Sequence, residues 1–86
     1  MQEVLEYFSW NVRRLRLERE MTQEALAEAI GTELRTLQRV EAAATNPSLT
    51  MLINLAHVLK VEPGALLEPT ERPVIKRGRP KKKTAP

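Results

Sequence analysis

Residues 22–41 read TQEALAEAIGTELRTLQRVE, and their spacing decides the fold. Thr22 is a good N-cap, because its hydroxyl can accept from the free amides of a first helical turn. Leu26 and Ile30 lie one turn apart, so 23–30 reads as a short helix with both side chains inward. Gly31 ends it, since glycine enters the left-handed conformation that closes a helix at little steric cost. A further helix over 33–43 then turns Leu37 and Val40 toward the core and leaves Arg35, Gln38 and Arg39 on the opposite face.

The same periodicity extends outward. Val4, Leu5, Phe8, Val12 and Leu15 mark a first helix over 2–20, for whose Trp10 core packing is the expectation. Asn46 and Pro47 break the pattern, and Ser48 is placed to cap a helix over 49–59 with Leu52, Leu55, Ala56 and Leu59 inward. Pro63 suits the first turn of a short fifth helix ending near Leu67. The expected architecture is all-α: a compact five-helix bundle over 1–68, followed by a disordered basic tail over 69–86 that carries Pro69, Pro73, Pro80 and Pro86.

Composition narrows the function. With 86 residues, no Cys, no Asp and one His, the chain has no disulfide framework or thiolate metal site, and little from which to build a catalytic group. No enzyme, metal or cofactor is expected. No apolar run approaches the roughly 18 residues that span a bilayer. The first ten residues carry Glu3 and Glu6 where a signal peptide would carry positive charge, so a cytoplasmic protein is expected. The net charge of +3 is unevenly spread: residues 1–70 hold seven Lys or Arg against ten Glu, and residues 71–86 hold seven against one. Bulk basicity therefore gives no argument for nucleic-acid binding by the folded part.

Pattern gives one. Two short helices joined by a tight glycine turn can pack across one another so that the second projects and fits a major groove. Arg pairs bidentately with guanine O6 and N7, and Gln with adenine N6 and N7, so Arg35, Gln38 and Arg39 suit base recognition. Leu34 and Thr36 can add contacts to thymine methyls or phosphates. A solvated face of an amphipathic helix has the same composition, and periodicity alone does not separate the two.

The run TQEALAEAIGTELRTLQRVE followed by NPSLTMLINLAHVLKV resembles the phage repressor and Cro-like helix-turn-helix family, the XRE-type regulators. The resemblance covers roughly 8–67 through Leu15 and Arg16, Thr22 and Gln23, Ala27, Gly31, Glu41 and Asn46 to Leu49. It implies a sequence-specific transcriptional regulator, a repressor, that binds an inverted-repeat operator in double-stranded DNA as a homodimer. It also implies bacterial or phage origin and association with the nucleoid. Position by position, it puts Leu34, Arg35, Gln38 and Arg39 on bases, and Gln23, Thr36 and Asn46 on phosphates. Arg16 and Glu41 become an ion pair linking the first helix to the end of the recognition helix. The sequence departs from the family at Glu33, where Ser or Thr usually caps the recognition helix and Thr32 is the available substitute. It departs again at Ala42 to Ala44, where a glycine turn and a basic residue are usual.

In the tail, Arg77-Gly78-Arg79-Pro80 resembles an AT-hook, whose centre lies in the minor groove. A narrow A·T-rich groove concentrates negative potential and admits arginine. Val61, Leu66 and Leu67 are candidate dimer contacts that can equally close the core. Two other readings remain: a protein-interaction module such as the antitoxin partner of a toxin, and an architectural protein that selects A·T-rich DNA.

Overall fold

Residues 2–73 are described by the computed structural model, and their polypeptide forms α1 (Gln2–Glu18), α2 (Gln23–Ile30), α3 (Leu34–Glu41), α4 (Leu49–Leu59) and a 3-10 helix (Pro63–Leu67). The fold is all-α, with no strand among the described residues. The fifth helix of the expected bundle is a single 3-10 element rather than an α-helix. Its five residues are too short for a stable α-helical segment, and Pro63 starts it where no amide donor is needed. Among the described residues no helix is long and apolar enough to cross a membrane. Residues 74–86, including Arg77, Gly78, Arg79 and Pro80, lie outside the described part.

One core joins all five elements. Phe8, Val12 and Leu15 from α1 meet Leu26 and Ala27 from α2, Leu37 and Val40 from α3, Leu55, Ala56 and Leu59 from α4, and Leu66 from the 3-10 helix. Leu66 is completely buried and so belongs to the core, which removes it from the candidate dimer contacts; Leu67 beside it is exposed. Trp10 is the reverse case. It is half-buried and outside the core cluster, packed edge-on against Tyr7 with ring centroids 6.1 Å apart. Its position on α1 lies two residues past Phe8, about 200° around the helix and so off the core-facing stripe.

Asn11 ties α1 to the 3-10 helix through a polar side chain. It sits among Phe8, Val12 and Leu15 and is buried. Its amide donates to the carbonyls of Leu66 and Glu68, both at 3.0 Å, satisfying backbone acceptors that a short 3-10 helix leaves open.

Thr22 and Ser48 cap α2 and α4 as their hydroxyls accept from the amides of Ala25 and Met51. The start of α3 differs. Glu33 occupies the N-cap position with no side-chain hydrogen bond, and Thr32 does not substitute for it. At the other ends, all four α-helices close through a left-handed residue: Glu20, Gly31, Ala43 and Lys60 have φ of 56, 76, 56 and 62°. In each case the following amide reaches back five residues, as from Ala44 to the Arg39 carbonyl at 2.9 Å. Only Gly31 adopts this conformation without a Cβ penalty. This explains why α1 and α3 end at Glu18 and Glu41, two residues before the expected ends: no glycine marks either stop.

Glu33→Ser and Ala43→Gly are therefore expected to stabilise the domain by about 1 kcal/mol each, the first by supplying a cap and the second by relieving the left-handed Ala43. Urea unfolding reads both. A lower midpoint for either variant would show that the end of α3 it alters is not under-stabilised.

Candidate nucleic-acid interface

The site is built on α3 by the division of its faces. Leu37 and Val40 are fully buried, which fixes the roll of the helix, and that roll leaves Arg35, Gln38 and Arg39 exposed. Eight residues give only about two turns, so these three side chains form one short outward stripe. Leu34 is half-buried at the start of α3 and is not among the side chains packed on the core. Thr36 is also half-buried.

The orientation of this stripe depends on Glu41, the last residue of α3, which is 5% exposed. Arg16 of α1, 8% exposed, grips it with two parallel bonds: Nε donates to Oε2 at 2.7 Å and Nη2 to Oε1 at 3.0 Å. The remaining Nη1 donates to the Met21 carbonyl at 2.8 Å, so the guanidinium is also anchored in the α1–α2 connection. Gln23, at the start of α2, donates from Nε2 to Glu41 Oε1 at 3.1 Å. One carboxylate thus joins α1, α2 and α3. Bidentate geometry with charge-assisted donors is the arrangement in which a buried pair holds best.

Gln23 accordingly has a structural partner, with a half-buried side chain at the first turn of α2. The free amides of that turn remain a favourable place for an anion. Asn46 is separate from this group. It is exposed on the α3–α4 loop and, with Pro47, borders an apolar groove formed by Val4, Leu5 and Phe8 of α1 and Leu52 and Leu67.

Sequence reading missed two features here. The third arm of the clamp, Gln23, carried no signal, because its contact with Glu41 crosses 18 positions. Asn11 did carry one: a polar residue on the Phe8–Val12–Leu15 stripe is out of place unless it has a buried partner.

Comparison with known proteins follows the same lines. Residues 12–66 match a family profile described as helix-turn-helix. The restriction-modification controller protein C.AhdI from Aeromonas hydrophila superposes with a TM-score of 0.69 at 34% identity, over 72% of this chain and 94% of that one. A hypothetical transcription factor from Neisseria, NHTF, gives a TM-score of 0.75 at 28% identity, over 79% of this chain and 78% of the other. The hydroxypropylphosphonic acid epoxidase of S. wedmorenis gives 0.73 at 28% identity over 80% of this chain, but only 37% of the enzyme is covered. No curated protein matches the sequence. The profile spans more than half of the chain, through the turn at Gly31 and the clamp at Glu41, and the chain belongs to the XRE-type helix-turn-helix family.

Proposed function

We propose that this helix-turn-helix protein is a transcriptional repressor that reads an inverted-repeat operator as a homodimer, with α3 in the major groove. The observation that carries the reading is the outward stripe of Arg35, Gln38 and Arg39 on a helix held in place by the buried Arg16–Glu41 pair and its Gln23 partner. Base reading requires side chains of this chemistry on a rigid support. Leu34 is proposed to meet a thymine methyl, and Gln23, Thr36 and Asn46 to approach phosphates. A repressor needs only to occupy its operator, which a domain of this size can do. Similarity to a restriction-modification controller at 34% identity supports a regulatory role.

The homodimer is supported by apolar side chains that the monomer leaves uncovered. Leu49 and Ile53, one turn apart on α4, are 73% and 49% exposed, and Val4 and Leu67 are also exposed. Large exposed aliphatic residues grouped on one element mark association surfaces. Two copies are also what specificity requires, since one short recognition helix covers few base pairs and paired half-sites lie about 34 Å apart. Residues 76–83 are proposed to supply electrostatic attraction to a domain that is itself acidic, with Arg77, Gly78, Arg79 and Pro80 entering the minor groove.

Selection of bound sequences from random DNA is expected to return an inverted repeat. The chain ending at Pro73 should return the same repeat with weaker affinity and a salt dependence flatter by about 0.9 for each phosphate that the tail no longer neutralises. A single half-site would defeat the homodimer. Featureless A·T-rich sequence that disappears on truncation would transfer recognition to the tail.

A further inference from the structure

Beside the clamp, between α1 and the turn after α3, lies a cleft of about 310 Å³ to which the proposed DNA-reading role assigns no part. Its walls include Glu6, Ser9, Trp10 and Arg13 of α1, the Ala42–Ala43 turn after α3, and Arg72 beyond the 3-10 helix. Among the described residues the buried Nε of Arg13 has no hydrogen-bond partner. Among the described residues neither Arg13 nor Arg72 forms an ion pair, although Arg14, Arg16 and Arg19 all do. A buried, unpaired guanidinium N–H is costly, and such groups ask for an acceptor.

We propose that this cleft binds a small carboxylate that carries a flat ring. The carboxylate lies against Arg13 and Arg72, whose planar guanidinia match its geometry. The ring lies along Trp10, a half-buried residue that lines the cleft. Charge selects a single negative group. Glu41 lines the cleft too, but its charge is met by Arg16 and Gln23. That leaves two guanidinia against one carboxylate, Glu6, and a dianion would face Glu6 with less compensation. The Ser9 hydroxyl donates to the Glu6 carbonyl at 2.9 Å, so toward a ligand it has only acceptor capacity. The volume is near the lower end of the about 300–1,000 Å³ typical of ligand sites, which sets the size at one ring. Because Glu41 and the turn after α3 form part of the wall, an occupant here touches the segment that ends the recognition helix.

Trp10 is the only tryptophan of the chain, so tryptophan fluorescence reports on a wall of this cleft. The full chain, without DNA, is titrated with benzoate and phenylacetate, with acetate, inorganic phosphate and chloride at matched ionic strength as controls. A saturable change is expected for at least one ring carboxylate and not for the controls. Arg13→Gln and Arg72→Gln should each weaken it by about tenfold or more, the loss of one charge-assisted bond. Circular dichroism verifies that each variant is folded, and Arg72, being exposed, is the safer of the two. The proposal is overturned if no ring carboxylate saturates, if phosphate alone does, or if either folded variant binds as tightly as the parent.

Discussion

Arg16→Ala is expected to remove about 3–5 kcal/mol of folding stability, because it strands the buried Glu41 carboxylate with only the Gln23 amide as partner. A domain of about 70 residues has roughly 4–10 kcal/mol in total, so the variant should sit near the edge of unfolding at room temperature. The loss has two parts. Glu41 is left charged and desolvated, and the Met21 carbonyl loses its donor. Arg16→Lys should recover little, since an ammonium cannot supply two parallel bonds to one carboxylate and a third to a carbonyl. Arg16→Met combined with Glu41→Leu should be markedly more stable than Arg16→Ala, because it removes both charges and refills the space. Urea unfolding measures all three. With a slope of about 1–3 kcal/mol per M, the Arg16→Ala midpoint should fall by at least about 1 M. A fall of a few tenths would mean that the pair contributes no more than an exposed one.

Arg35→Ala with Arg39→Ala is expected to weaken operator binding by about 2–6 kcal/mol, from roughly 30-fold to more than 10⁴-fold, given about 1–3 kcal/mol for each bidentate base contact. Folding should be nearly unaffected, because both side chains are exposed and bond to nothing else among the described residues. The single variants carry the sharper information. If each arginine reads a base, each substitution relaxes preference at one position of the half-site and leaves the other positions intact. If both instead lower affinity for every sequence alike and flatten the salt dependence, they are phosphate contacts and α3 is not the reader. Binding is to be compared at one fixed salt concentration, since affinity for DNA falls steeply with ionic strength.

Much of this was legible because the relevant interactions are local. Thr22, Ser48 and Gly31 announce helix ends by chemistry that acts within one turn, and α2 and α4 lie at the expected boundaries, Gln23–Ile30 and Leu49–Leu59. The ends of α1 and α3 were not legible. Glu20 and Ala43 take the left-handed conformation that glycine signals elsewhere, and only the surrounding packing holds them there. The outward stripe of Arg35, Gln38 and Arg39 was visible in outline, since Leu37 and Val40 identify the inner face and the other positions follow from helical geometry. Leu34 was not separable: at the helix start, one residue can belong to either face.

By itself, then, the sequence determined which segments are helical, which face of each is apolar, and that Arg35, Gln38 and Arg39 point away from the core. Those properties depend on neighbours three or four residues apart. Tertiary structure alone decided that Gln23 joins Arg16 on Glu41, that Leu66 is core while Trp10 is not, that Asn11 closes the 3-10 helix, and that Arg13 is left without a partner beside Arg72. The physical reason is common to all of them. Each depends on groups many positions apart meeting in a low-dielectric interior or a shared cleft, where one hydrogen bond, made or missing, outweighs local preference.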